Sequence, residues 1–211
     1  MKKQLLTAAA LLMSVYSYSQ TKGTSALSLG ISSSTSEYKN STPETSPIFK
    51  SKNSGLRLGY GLFVTDNNKV GIELLYDKST TDYQAGQSRK EKGFGASANF
   101  QHYFQVVKTF YAYAGASGKY MQSKGKENDQ SPFGRDTENY HASLTAIGGL
   151  TWFISKRWAL ETNLVSAGAF YGRTKTYQTG DNNFYSSKDA NFNLSTDGLF
   201  SNLGFKVYLM F

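Results

Sequence analysis

Leu203-Gly204-Phe205-Lys206-Val207-Tyr208-Leu209-Met210-Phe211 alternates two sets of side chains along its whole length. Successive residues of a β-strand point to opposite faces. Leu203, Phe205, Val207, Leu209 and Phe211 therefore make one continuous apolar face. Gly204, Lys206, Tyr208 and Met210 make the other. A helix would need apolar residues at spacings of three and four, and this segment does not have them. Extended back through Asn202 and Leu199, the pattern predicts a strand over about Asp197 to Phe211.

The same period recurs upstream, giving eight strands in all. The first covers about Thr24 to Ser36, with Leu27, Leu29 and Ile31 on one face. The second, about Ser54 to Thr65, sets Leu56, Leu58, Tyr60, Leu62 and Val64 against Arg57, Gly59, Gly61 and Phe63. The third, about Lys69 to Thr81, sets Val70, Ile72, Leu74 and Tyr76 against Gly71 and Glu73. The fourth, about Lys90 to Phe104, sets Phe94, Ala96, Ala98 and Phe100 against Gly95, Ser97 and Asn99. In the fifth, about Thr109 to Ser123, Phe110, Ala112, Ala114 and Ala116 oppose Tyr111, Tyr113, Gly115, Ser117 and Lys119. The sixth, about Glu138 to Ile154, carries Leu144, Ala146, Gly148, Leu150, Trp152 and Ile154 on one side. The seventh, about Trp158 to Arg173, sets Trp158, Leu160, Thr162 and Leu164 against Ala159, Glu161 and Asn163.

The connections alternate as regularly as the side chains. Asp66-Asn67-Asn68, Gln105 to Lys108 and Ser155-Lys156-Arg157 are short turns. The stretches 37–53, 82–89, 124–137 and 174–196 are long and polar, and they hold Pro43, Pro47 and Pro132. All short turns thus fall at one end of the sheet and all long loops at the other, with both chain ends on the short-turn side. Such an arrangement fits a transmembrane barrel with periplasmic turns and longer extracellular loops.

The first 19 residues stand apart. Lys2 and Lys3 precede the apolar run Leu5 to Val15, and Ser17 and Ser19 have the −3 and −1 spacing of a cleavage site. This is the pattern of a secretory signal peptide, with an apolar run too short to span a bilayer as a helix. Cleavage after Ser19 leaves residues 20–211 as one barrel domain. It lowers the formal charge from +8 to +6, since Lys2 and Lys3 leave without any acid. The remaining charge is interleaved (Lys124, Lys126, Glu127, Asp129, Arg135, Asp136, Glu138), whereas a nucleic-acid binder concentrates base on one face. There are no cysteines, so no disulfide stabilises the exported chain. No apolar stretch after the leader reaches the ~20 residues of a transmembrane helix. A closed barrel remains as the membrane-spanning option, because every backbone group in lipid must find a partner.

A soluble barrel also alternates. Two features favour the membrane form. The polar face is rich in glycine and other small residues, which suit the interior of a narrow eight-stranded barrel. The apolar face collects aromatics near strand ends, Phe110, Trp152, Trp158 and Phe211, as an interfacial girdle would. The fold expected is all-β, an eight-stranded antiparallel up-and-down transmembrane β-barrel, located in the outer membrane.

The leader, the loop alternation and the ending on Phe211 together resemble the small outer-membrane β-barrel family of OmpX-like and OmpA-transmembrane-domain-like, porin-like proteins of Gram-negative bacteria. The resemblance covers the whole mature chain and concerns architecture. It implies that Phe205, Val207, Leu209 and Phe211 form the segment read by the barrel-assembly machinery. It also implies contact with outer-membrane lipids and lipopolysaccharide. The peptidoglycan-binding domain of the OmpA pattern is missing from this sequence.

Five ions fall on the lumen face: Arg57, Glu73, Lys119, Glu161 and Lys206. Ions in a low-dielectric interior must pair. Glu161–Lys206 is the first expected pair, with Arg57 reaching toward Glu73. These ions are expected to form a structural plug, and the lumen is expected to be filled by side chains; a narrow conduit is the alternative. His141, Ser143 and Glu161 have the residue types of an acyl hydrolase and loosely resemble the lipid A deacylase barrels. Glu161, however, is expected at the turn end, far below His141, so no catalytic residue is assigned. No cofactor is expected, and no metal site, since the two histidines are distant and Asp181-Asn182-Asn183 lacks the rest of a calcium loop. The long loops display Tyr38, Phe49, Tyr83, Phe133, Tyr177, Phe184 and Tyr185, suited to an extracellular ligand or surface partner; the equal alternative is that the upper strands extend beyond the membrane and these aromatics pack on one another. The functional expectation is a monomeric structural or surface-interaction protein. A small passive channel is the alternative, and a lipid-modifying acyl hydrolase a third.

Overall fold

Thr65 and Asn68 flank a tight reversal: the Thr65 hydroxyl accepts hydrogen bonds from the Asn68 backbone N–H (3.1 Å) and side-chain amide (2.7 Å). Ser155 does the same at another turn, accepting from the N–H groups of Arg157 (3.2 Å) and Trp158 (3.1 Å). Such local side-chain acceptors make these polar triplets turn. The computed structural model describes residues 21–38, 49–82, 88–128, 135–178, 184–195 and 205–211. The leader, Tyr83, Phe133, the three prolines, Asp181-Asn182-Asn183 and the 197–204 part of the expected last strand lie outside them.

Nine strands follow one another: β1 (Ser25–Tyr38), β2 (Phe49–Thr65), β3 (Asn68–Asp82), β4 (Ser88–Val107), β5 (Phe110–Asn128), β6 (Arg135–Phe153), β7 (Trp158–Gln178), β8 (Phe184–Ser195) and β9 (Phe205–Met210). Each of β1 to β7 pairs antiparallel with the next. β9 then pairs with both β7 and β1 and closes the ring. The result is an up-and-down barrel with eight strand positions. β8 occupies the eighth position above β9, on the upper half of β7, from Ser166↔Ser195 to Tyr177↔Phe184.

The expected single last strand is therefore corrected: the eighth position is shared by β8 and β9. Phe184–Ser195 is expected as loop because Ser186 and Lys188 interrupt its outward side, which confines the apolar period-two signal to Ala190, Phe192 and Leu194. The other long loops shrink for the same reason. Lys50↔Asp82, Ser88↔Asn128 and Lys126↔Asp136 are all ladder pairs. Of the seven loop aromatics, Tyr38, Phe49, Tyr177, Phe184 and Tyr185 belong to strands.

Directly paired residues share a face, so the register fixes which side chains look outward. From Leu29 the outward row runs through Leu58, Leu74, Ala96, Tyr120 and Ala142 to Tyr171. In the other direction it runs through Val207 to Leu160. The row returns to β7 displaced by eleven residues (171 − 160), one of which is the extra residue of a bulge opposite Gly148 and Gly149. A stagger of this kind tilts strands about 35–45° to the barrel axis. The bulge inserts Leu164 between Asn163 and Val165 and brings Val165 to the outward row. The sequence reading had continued the alternation through Leu164.

The buried residues are on the inside, mostly within a few residues of the short turns: Ala26, Phe63, Tyr103, Tyr111, Tyr113, Phe153, Ala159, Tyr208 and Met210. The large aliphatics face out: Ile72 is 65% exposed, Leu74 68% and Leu144 67%.

Candidate functional site

Glu161 lies at the centre of the turn-end lumen, 3% exposed. β7 places it opposite Lys206 on β9 and Thr151 on β6. Its carboxylate accepts four hydrogen bonds. Gln101 Nε2 (3.0 Å) and Tyr208 OH (2.9 Å) donate to Oε1; Tyr103 OH (3.0 Å) and Thr151 Oγ1 (3.2 Å) donate to Oε2. Lys69 Nζ stands 3.6 Å from Oε2 and lies over the Tyr208 ring, 3.8 Å from its centroid. Lys206 Nζ is 3.9 Å from Oε1 and hydrogen-bonds to Glu73. A buried carboxylate needs this degree of saturation to offset its desolvation. Side chains from β3, β4, β6, β7 and β9 thus converge into one floor across the barrel.

The structure brings together Glu73, Glu161 and Lys206 of the five lumen ions. Lys206 takes Glu73 as its nearer partner, although Glu161 is its cross-strand neighbour. Arg57 does not reach Glu73. It faces a cavity above the floor, and Lys119 points inward opposite Ser97 and Ser143. Neither forms an ion pair among the described residues. The sequence reading names none of Lys69, Gln101, Tyr103, Thr151 and Tyr208 as site residues, although it places Tyr208 on the inward face. Parity could have found Lys69, two residues from Gly71, and Gln101 and Tyr103, two and four from Asn99.

The floor rests on a close approach. Tyr113 pairs with Gly149 across β5 and β6, and a Cβ on Gly149 would lie 2.8 Å from the Tyr113 ring and against the Thr162 carbonyl. The missing side chain is the space the tyrosine occupies. From there the Tyr113 hydroxyl reaches the Thr162 carbonyl at 3.4 Å.

Above the floor the described residues, expected to fill the lumen, leave a cavity. A cavity of about 570 Å³ is lined by Arg57, Glu73, Asp77, Asn99, Ser117 and Asn163, among others. Higher still, a second polar cluster crosses β4, β5 and β6. Asn139 Nδ2 donates to Glu91 Oε1 at 2.8 Å, Ser123 hydroxyl bonds the same carboxylate, and Arg89 donates to Thr137 Oγ1 at 2.9 Å. The lumen therefore has a densely hydrogen-bonded turn end, a polar chamber and a bridged upper wall.

His141 faces inward opposite Gly172, its ring 5.7 Å from that of Phe170. Glu161 is level with Thr151, eight residues along β6 from Ser143 (151 − 143), or roughly 26 Å of strand. His141, Ser143 and Glu161 do not form a triad. No group of three His, Asp or Glu side chains among the described residues gathers as a metal site.

On the outside, Phe110 stacks on Trp152 (centroids 5.3 Å, 6° between planes), and Trp158 is exposed beside them at the turn end. Phe205, Val207, Leu209 and Phe211 all face outward on the closing strand. Phe211 exchanges both backbone hydrogen bonds with Ser25 at 2.9 Å. Between the turn end and the upper strands, the outward positions form a band without Lys, Arg, Asp or Glu. On β4 it runs from Phe94 to Phe104, on β6 from Tyr140 to Trp152, on β7 from Trp158 to Tyr171. The first charges above it are Lys52, Lys78, Lys92, Lys124, Glu138, Arg173 and Lys188.

No family model and no curated protein matches this chain. Solved structures do resemble it in fold. The translocator domain of the autotransporter NalP from Neisseria meningitidis is 14% identical with a TM-score of 0.49, over 92% of this chain and 65% of that domain. This chain thus spans about two thirds of the translocator's length. Ail, the attachment invasion locus protein of Yersinia pestis, is 12% identical with a TM-score of 0.44, over 90% of this chain and 99% of Ail. The outer membrane protein OprG from Pseudomonas aeruginosa is 11% identical with a TM-score of 0.45, over 92% of this chain and 98% of OprG.

Proposed function

We propose that the chain is an exported, integral outer-membrane β-barrel whose polar upper strands form a surface-interaction platform. The observation that carries this reading is the outward band, free of Lys, Arg, Asp and Glu among the described residues of every strand. Eleven residues of β4 from Phe94 to Phe104 carry no Lys, Arg, Asp or Glu on that face, close to the ~9–11 residues a tilted strand needs to cross a bilayer. In water, exposed apolar area of that extent would drive association. With lipid around it, the same band is the stabilising contact. Trp152, Trp158 and Phe110 then lie at the turn-end interface.

On this reading the barrel is a monomer inserted by the barrel-assembly machinery, with Phe205, Val207, Leu209 and Phe211 as the recognised segment. The turns face the periplasm. Above the band, β2 to β8 continue as paired strands and carry whatever contact the protein makes at the cell surface. The saturated floor around Glu161 opposes free passage of solutes, and the reading includes no catalysis.

The cavity above the floor favours a second reading, in which a small solute enters from the upper end and passes when the floor rearranges. Two measurements on the mature protein test both. Inserted protein should migrate faster unheated than boiled, and planar bilayers should show no large, steady single-channel current. A chain that stays soluble without detergent overturns the membrane reading. Steady monomer currents replace the platform with the channel.

A further inference from the structure

Five lysines stand together on the outer face of β3, β4 and β5, just above the apolar band. Lys78 is directly opposite Lys92, and Lys92 directly opposite Lys124. One pair higher, Lys90 is opposite Lys126. Directly opposed residues have their Cβ atoms about 4.5–5.5 Å apart, and like charges so placed destabilise a sheet. Compensation is confined to one edge. Lys124 pairs with Glu138 of β6 at 2.9 Å, and Asp136 is the cross-strand neighbour of Lys126. Lys78, Lys90, Lys92 and Lys126 form no ion pair among the described residues. A sheet that sets three cations side by side in one row lacks an anion from outside.

The surface below says what carries that anion. Tyr76 and Phe94, the next outward residues beneath Lys78 and Lys92, pack ring to ring at 4.9 Å. Beneath them, on the same strands, lies an apolar groove of about 810 Å³, with small Ala96, Ala98 and Gly118 between Ile72, Leu74 and Tyr120. Cations, an aromatic rim and an apolar groove follow one another down one wall.

We propose that this wall is a binding site for a phosphorylated lipid of the outer leaflet. Its phosphate groups are held by Lys78, Lys92 and Lys124, with Lys90 and Lys126 above, and an acyl chain lies in the groove beneath. The site rests on the membrane reading given above and adds a definite ligand chemistry to it. A glycolipid bearing two phosphates matches the lateral row of cations, because adjacent strands are about 4.8 Å apart and the row crosses three of them.

The test uses the full mature chain refolded in neutral detergent and in neutral-lipid nanodiscs. Diphosphorylated lipid A, its dephosphorylated form and inorganic phosphate are each titrated, and bound lipid is counted by native mass spectrometry. The wild type should bind the diphosphorylated lipid at least tenfold more tightly than the dephosphorylated one. That preference should weaken as salt is raised. The triple variant Lys78→Gln/Lys92→Gln/Lys124→Gln should lose tenfold or more while keeping its heat-dependent gel shift. Lys22→Gln/Lys108→Gln/Lys156→Gln, at the turn end, should change binding less than twofold. Equal binding by the first variant and the wild type overturns the site. So does inorganic phosphate that competes as well as the lipid. A wild type that inserts normally but ignores the phosphates sinks only this inference; a wild type that never inserts sinks the membrane reading itself.

Discussion

Glu161 and Lys69 are the residues on which the lumen depends most. Lys69 is 2% exposed, and Glu161 is the nearest carboxylate to it. Removing one partner of a buried pair leaves an uncompensated ion, at a cost of roughly 3–5 kcal/mol. Glu161→Gln should therefore lower the urea midpoint of the inserted barrel strongly, measured by tryptophan fluorescence in vesicles. Lys69→Met should cost less, because Glu161 keeps four hydrogen-bond donors and Lys206. The double variant should recover part of the loss. Gly149 is the second sensitive position. Gly149→Val forces its side chain against the Thr162 carbonyl and the Tyr113 ring, an overpacking worth about 1–3 kcal/mol, read in the same unfolding assay. Glu73, Glu161 and Lys206 were legible as lumen ions from strand parity. The choice of Glu73 over Glu161 by Lys206 was not, since it depends on how far an ammonium reaches across two neighbouring strands.

Whole strands show why some elements were easy to read and others were not. The lower halves of β1 to β7 have an apolar outward side and a lumen-facing side, so their sequences alternate. The upper half of β2, β4, β5 and β7 is polar on both sides, and in Phe184–Ser195 the outward apolar run is only Ala190, Phe192 and Leu194. There pairing persists without a hydrophobic period, and the sequence looks like loop. The lysine rows belong to those upper halves. In neutral detergent, with no phosphorylated lipid present, Lys92→Gln should raise stability by a few tenths of a kcal/mol, because it removes two like-charge contacts at once. In vesicles containing diphosphorylated lipid A the sign should reverse. A substitution in the band tests the other half of the same strands. Leu74→Arg, on the outward face of β3, should cost about 2–4 kcal/mol if that position lies near the bilayer midplane. The readout is refolding yield and urea midpoint in vesicles. A change below 0.5 kcal/mol would mean that Leu74 does not face lipid.

At the scale of the molecule, ring closure depends on the short β9, whose outward Phe205, Val207 and Leu209 pair with β1 on one side and β7 on the other. Among the described residues, β1 above Ile31 pairs only with β2, and β8 only with β7. The chamber of about 570 Å³ lies beside this region, since Ile31, Ser32, Val165 and Phe205 are among its lining. If the floor is what blocks conduction, Tyr103→Ala/Tyr208→Ala should open it. That variant, checked for its gel shift, should give single-channel events that the wild type lacks; silence from a folded variant would mean that another constriction closes the barrel. The sequence by itself determined the all-β architecture, the inward and outward faces of most strands and the three short turns. Those properties follow from a local period of two and from turn residues acting on their own neighbours. Only the tertiary structure decided that β8 and β9 share one position, that Glu161 gathers partners from four other strands beneath a cavity, and that lysines from three separate strands form one row. Each depends on register, and register is a relation between distant segments that no local pattern carries.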